Sequence, residues 1–334
     1  RQVRAFMDDG GLLPNVGYRV RTLHGLCNDI VRDRPSLVGL DESFQIVDER
    51  EAASILQDAA LTWARANPAI ADLYLAPDLD DERRATIKQE QWADFVTTIA
   101  NNFIKTAKDE QLMPDDIRRQ LDRFGEPLPL ADMCQSIYTS YQRGLSARGA
   151  VDFQDLIRLA LKALELDASY LERLRRRWVY ILEDEAQDSS QLQERILRLL
   201  AGESGNWVRM GDPNQAIYET FTTAKPEHLW KFLNEPGVQR RELSNSGRSA
   251  QPIIDLANYL IRWTNERHPE PAIRAREPLQ PPYIEPAPPG DPSPNPPAES
   301  AKIVLFDRAL TPDLEIQAVV DSLVRWLPDH PDET

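Results

Sequence analysis

The stretch WVYILEDEAQDSSQLQERIL, Trp178 to Leu197, sets two patterns end to end. An apolar run closes on four acids within six residues, Glu183, Asp184, Glu185 and Asp188, and a helical pattern then opens at Ser189-Ser190. Burying carboxylates at the end of a core strand costs several kcal/mol unless something positive sits on them. A magnesium ion carrying a nucleotide is one such partner. The bland alternative is the acidic first turn of a helix, whose dipole favours carboxylates, and for an isolated Asp-Glu pair that is the ordinary explanation.

Working outward, short apolar runs at 178–182, 206–210 and 238–243 read as strands, and the segments near 189–200, 226–234 and 250–265 read as helices. Such alternation predicts a parallel sheet with crossover helices, an α/β fold. Ligands of such sheets sit at the carboxyl ends of the strands, where Glu183–Asp188 and Gly211–Tyr218 fall. Upstream, Tyr18–Thr22 alternates like a short strand and Leu23–Val31 reads as a helix. From Glu51 to Leu164 the pattern is helical almost throughout, with stripes at Trp92, Phe95, Val96, Ile99 and Phe103 and, after Pro129, at Leu130, Met133, Ile137, Tyr138 and Tyr141. This predicts a helical subdomain.

Composition narrows the class. The 334 residues suffice for one large domain or about two to three ordinary ones. No run reaches the roughly 18 apolar residues of a membrane span, which predicts a soluble, cytoplasmic protein. Cys27 and Cys134 form no metal-binding spacing, and two cysteines make no disulfide framework. A net charge of -15 is the reverse of a basic face coating duplex DNA. It leaves room for a local groove that threads one strand over aromatic platforms. Between Pro269 and Pro297 the chain carries 12 of its 26 prolines, a density that predicts a linker or extended surface insertion.

An apolar strand ending in Asp-Glu has the Walker B form, and a second strand here ends in VRMGDPNQAIYETF, Val208 to Phe221. With DEAQD and GDPNQAIY in this order, the sequence resembles motifs II and III of the UvrD/Rep/PcrA family of ATP-dependent DNA helicases with RecA-like motors. Further segments follow in family order. RTLHGLCNDIV (Arg21–Val31) resembles the Thr-x-His motif, VDFQDLIRLAL (Val151–Leu161) the segment that re-enters the motor, and LSNSGRSAQPIIDLAN (Leu243–Asn258) motif IV. Two departures stand out. Gly247 occupies the place where the family commonly has Tyr, and Phe221 follows Tyr218 by three residues where the family has two.

The resemblance implies that Asp184 binds Mg2+ and that Glu185, also near the metal, activates the attacking water. Gln215 senses the γ-phosphate of ATP, and Arg248 reaches the same phosphate from a second motor domain. It also implies that Thr22 and His24 contact single-stranded DNA or a single-strand/duplex junction, while Tyr218 and Phe221 stack on bases. The implied domains are 1–40, the N-terminal part of a first RecA-like domain; 41–149, the helical insertion; 150–248, the remainder of that domain with Walker B and motif III; and 249–334, the start of a second RecA-like domain with the Pro-rich insertion 269–297.

A Walker B carboxylate works with a G-x-x-x-x-G-K-[ST] phosphate loop, and no Lys in these 334 residues follows a Gly. The expectation is therefore an internal piece of a longer helicase, inactive by itself towards ATP. Alternatives are the motor part of a RecB/AddA-like helicase-nuclease, or a non-catalytic DNA-binding or scaffold module.

Overall fold

A computed structural model describes residues 18–215, 226–279, 281–301, 303–305 and 309–329. The protein divides after Val238 into two compact units.

In the first unit, Tyr18–Thr22 forms no strand. Thr22 caps α1 (Leu23–Asp33) instead, its hydroxyl accepting from the Gly25 amide at 3.0 Å. A Ser or Thr cap is worth about 1 kcal/mol, and it takes the residue out of any ladder. β1 (Gln45–Ile46) then leads into helices α2 (Glu49–Ala66), α3 (Asp81–Thr86), α4 (Trp92–Asp109), α5 (Pro114–Arg123) and α6 (Pro129–Ala147). The chain returns through β2 (Ala150–Val151), which pairs parallel with β1 in the register Gln45↔Ala150 and Ile46↔Val151. The whole helical excursion thus leaves and re-enters between two adjacent strands.

The excursion has its own core of Ile55, Ala60, Trp92, Val96, Ala100, Ile104, Ile137 and Tyr138. On α4 the buried face differs from the predicted stripe. Trp92 and Val96 are inside, Ile99 and Phe103 are partly buried, and Phe95 is half exposed beside the Trp92 ring. Alanines at 100 and 107 let neighbouring helices approach there, so close packing rather than side-chain size fixes the face.

The second core is built on α7 (Phe153–Leu166), which buries Leu156, Ile157, Leu159, Ala160, Leu161, Ala163 and Leu164. It packs with α1, α8 (Ala168–Arg177) and α9 (Gln191–Ala201) around Ile30, Val31, Tyr170 and Ile196. One polar cluster joins the two cores. Lys108 of α4, fully buried, donates to Asp152 Oδ2 at 2.6 Å and to Asp155 Oδ2 at 2.8 Å. The Tyr141 hydroxyl of α6 donates to the same Asp152 oxygen at 2.6 Å, and Asp152 Oδ1 caps α7 through the Asp155 amide at 2.7 Å.

Beyond α8 the strands come in parallel, as predicted. β3 (Ile181–Glu183) pairs with β4 (Trp207–Arg209) in the register Ile181↔Trp207, Leu182↔Val208, Glu183↔Arg209. The connection runs through α9, whose N-terminus carries a capping box: the Ser190 hydroxyl takes the Gln193 amide, and the Gln193 side chain takes the Ser190 amide. α10 (Pro226–Leu233) follows.

In the second unit the predicted strand 238–243 does not form. Gln239–Leu243 is charged and exposed, with Arg240 paired to Glu242 at 2.9 Å, and it offers no apolar face to bury. Pairing falls instead at β5 (Asn245–Ser246), which meets β6 (Glu285–Pro286) in parallel across α11 (Gln251–Arg267) and α12 (Pro271–Arg276). The Pro-rich segment is therefore no linker. Proline lacks an N–H but is at home at the start of a helix, as in α12, and the amides of the residues between prolines find Asn side chains. Asn258 accepts from the Ile284 amide at 2.9 Å and donates to the Ile284 carbonyl at 2.8 Å. Asn295 accepts from the Ala287 amide and donates to the carbonyls of Ser246 and Ser249. Among the described residues after 301 no strand forms, and α13 (Pro312–Trp326) follows.

The same packing accounts for Gly247. A Cβ at this position would run into the Ser293 carbonyl, so the Pro-rich segment lies where a tyrosine side chain would have to begin. Gly247→Ala is expected to push that segment away at a cost of about 1–3 kcal/mol. Amide hydrogen exchange at Ile284 and Ala287 should accelerate, and unchanged exchange would show that the segment is not held by this contact.

Candidate functional site

Because β3 and β4 run parallel in register, their carboxyl ends lie side by side and both polar turns leave from one edge of the sheet. The ladder extends a step beyond the strands. The Met210 amide donates to the Glu183 carbonyl at 2.8 Å, and the Ala186 amide donates to the Met210 carbonyl at 2.9 Å.

The four acids have four different fates. Glu183 points inward and is buried, and its positive partner is Arg209 rather than a metal. The guanidinium Nε donates to Glu183 Oε2 at 2.7 Å, with Trp207 Nε1 at 3.1 Å and Ser189 Oγ on the other oxygen at 2.7 Å. Arg209 also reaches Glu194 of α9 at 2.8 Å. Burial pushes the Glu194 carboxyl upward, but Arg198 and Arg209 outweigh it and hold the group below its usual range. Asp184 is exposed, one oxygen accepting the Glu185 amide at 3.1 Å. Asp188 titrates above the usual carboxylate range, first through burial and then through the charge of Glu185. Its Oδ1 is sealed from solvent without a hydrogen-bond partner among the described residues.

Glu185 is the unusual one. Its backbone is left-handed, φ 53 and ψ 42, a conformation that costs a non-glycine residue about 1–3 kcal/mol and is held only where its surroundings insist. Its exposed carboxylate accepts from Gln187 Nε2 at 2.7 Å. Gln187, itself buried, turns its carbonyl to the Asp212 amide at 3.1 Å. Asp212 in turn organises the second motif: its Oδ1 takes the Asn214 amide at 3.0 Å and its Oδ2 takes Gln215 Nε2 at 2.8 Å. Gly211 is required for this approach, because a Cβ there would stand 2.6 Å from Gln187 Oε1 and 3.0 Å from the Ala186 amide nitrogen.

The structure thus brings Asp184, Glu185 and Gln215 to one edge. Thr22 and His24 lie in the same unit at the start of α1. The Thr22 hydroxyl is engaged in its cap but exposed, and the His24 ring packs edge-on against Phe153 at 5.2 Å. Burial lowers the His24 pKa, with the charge of Glu49 opposing. Arg248 belongs to the second unit and is exposed there. Tyr218 and Phe221 lie outside the described residues. Sequence reasoning missed Arg209 and Gln187. The signal for Arg209 was present, since a lone cation between apolar strand residues needs a buried partner. Among the described residues no group of three or more His, Cys, Asp or Glu converges on a metal position, and no helix is long and apolar enough to cross a membrane.

Residues 14–236 match the model of the UvrD/REP helicase N-terminal domain. DNA helicase II of Salmonella typhimurium is 32% identical over 255 residues, covering 75% of this chain and 31% of that protein. DNA helicase II of Escherichia coli is 31% identical over the same length. The ATP-dependent DNA helicase PcrA of Staphylococcus epidermidis is 27% identical over 250 residues, covering 75% and 30%. The chain therefore spans about a third of the length of these relatives.

Proposed function

We propose, since this chain belongs to the UvrD/Rep helicase family, that the protein is an ATP-dependent DNA translocase with a RecA-like motor. It moves 3' to 5' on single-stranded DNA at single-strand/duplex junctions, in cytoplasmic replication or repair. The observation that supports this most is the shared edge: the Asp184-Glu185 pair and the turn bearing Gln215 leave adjacent parallel strands side by side, where open α/β sheets bind ligands.

The donor set fits the implied cofactor. Mg2+ takes hard oxygen ligands, commonly one or two carboxylates beside substrate phosphates and water, and Asp184 and Glu185 offer exposed carboxylates. Asp184 would hold the ion, with Glu185 close by, and the ion would neutralise charge on the β- and γ-phosphates of ATP. Glu185 orients the attacking water and accepts its proton. Gln215 reads the γ-phosphate. Arg248 supplies a guanidinium that forks onto phosphate oxygens as charge develops in transfer. On the DNA side Thr22 and His24 contact the strand, and Tyr218 and Phe221 stack on bases, each stacked base contributing about 1–3 kcal/mol.

The test is direct. Full-length protein with Mg2+ and ATP should release phosphate faster when oligo-dT is added, and should unwind a duplex with a 3' single-stranded tail in preference to one with a 5' tail. Phosphate release indifferent to DNA, or no release, would overturn the reading; unwinding from the 5' tail would overturn its polarity.

A further inference from the structure

We propose that Gln187 is a positioning residue through which the Gly211–Gln215 turn sets the carboxylate of Glu185, so that the rate of hydrolysis follows the position of that turn. The inference rests on the role given to Glu185 above.

Three observations carry it. A single buried carboxamide spans the two motifs, its Nε2 donating to Glu185 Oε2 at 2.7 Å and its Oε1 accepting from the Asp212 amide at 3.1 Å. The residue it holds has a left-handed backbone, so the direction of the Glu185 side chain is imposed by neighbours and not by local preference. On the far side, the turn is brought against Gln187 by a glycine with no room for a methyl group, and Asp212 passes the contact to Gln215 by a hydrogen bond of 2.8 Å. Any displacement of Gln215 by a ligand therefore acts on Asp212, then on the Gln187 carboxamide, and through it on Glu185. A carboxamide suits the task because its two ends are fixed in one plane and carry opposite polarity. An apolar side chain would leave the Asp212 amide and the Glu185 carboxylate unconnected.

The experiment uses full-length protein and three variants, Gln187→Met, Gln187→Glu and Gly211→Ala. In Gln187→Met the kcat of DNA-stimulated ATP hydrolysis should fall about 10- to 100-fold, the scale of a misplaced reacting group, while the KM for ATP and the affinity for labelled oligo-dT stay within about twofold of wild type. Gly211→Ala, which crowds the same carboxamide, should reproduce that split. Gln187→Glu keeps an oxygen for the Asp212 amide but replaces the donor that holds Glu185 with a second carboxylate oxygen, so its kcat should fall as in Gln187→Met with the KM for ATP unchanged. Wild-type kcat in Gln187→Met and Gly211→Ala overturns the proposal, as does wild-type kcat in Gln187→Glu. If Gln187→Met fails to fold, the other two variants decide. Wild-type protein that turns over no ATP removes the underlying function instead, which separates the two failures.

Discussion

Glu185→Gln is expected to lower ATP turnover of the full-length protein by about 10²- to 10⁴-fold, the range ascribed to a positioned general base, while nucleotide binding persists. The substitution is close to isosteric. Its amide can still turn an oxygen toward Gln187 Nε2, the contact that holds the wild-type carboxylate at 2.7 Å, so the local geometry survives and the basic oxygen alone is lost. Asp184, Gln215 and the Asp212 turn are untouched. Single-turnover phosphate release, run beside binding of a fluorescent ATP analogue, separates the two effects. Turnover near wild type would remove Glu185 from the chemistry, and loss of binding in parallel would make it a nucleotide contact.

The largest effect on stability is expected at Lys108. Lys108→Met keeps most of the side chain's bulk but strips the ammonium from Asp152 and Asp155, leaving the two buried carboxylates with Tyr141, Gln142 and Arg158 as side-chain partners among the described residues. Breaking a buried pair from one side costs about 3–5 kcal/mol, a large part of the 5–15 kcal/mol that holds a typical domain. The pH dependence identifies the cause. Burial pushes the Asp152 carboxyl up, but Lys108 and the Tyr141 hydroxyl more than offset it, so the group titrates below its usual value. A depressed carboxylate stabilises the fold above its unfolded pKa of about 3.9 and loses that contribution as pH falls through the lower, folded value. Without Lys108 the Tyr141 hydroxyl and the Asp155 amide remain on Asp152 but burial outweighs them, so the carboxyl titrates above about 3.9 and the variant gains stability as pH falls from 7 toward 5. Urea melts at pH 7 and pH 5 should show the deficit shrinking at the lower pH. An equal deficit at both would mean that lost packing, not stranded charge, is responsible.

The sequence was most legible where two patterns coincided. Two apolar runs, each closing on a polar turn, marked β3 and β4 and the shared edge they make, because strand ends and polar turns are set by neighbouring residues. The helical excursion was legible for the same local reason, and of the stripe on α4 only Phe95 departs, half exposed while Trp92 and Val96 are buried and Ile99 and Phe103 pack on the core. Other features depended on partners far away in sequence. Glu183 was given no role beside Asp184 and Glu185, and the pairing with β4 shows Arg209 as its partner. Gln187 carried no role in the sequence, because its partner Asp212 lies 25 residues away. Strand 238–243 was read as a short apolar run, but its middle is Gln239, Arg240, Arg241 and Glu242, and that charge won. The proline density was read as a barrier to structure, whereas Asn258 and Asn295 supply from the side the pairing that prolines cannot.

The parallel pair β1 and β2 has a consequence for how this protein can change over generations. The helical excursion between them begins and ends on neighbouring strands, about 4.8 Å apart, so its length is invisible to the sheet: residues can be gained, lost or exchanged inside it without moving either end. What an exchanged segment must bring is small, chiefly a cation to meet Asp152 and Asp155 where Lys108 now does. Evolution can treat the excursion as a cartridge, free to diverge while the strands that grip it keep their register.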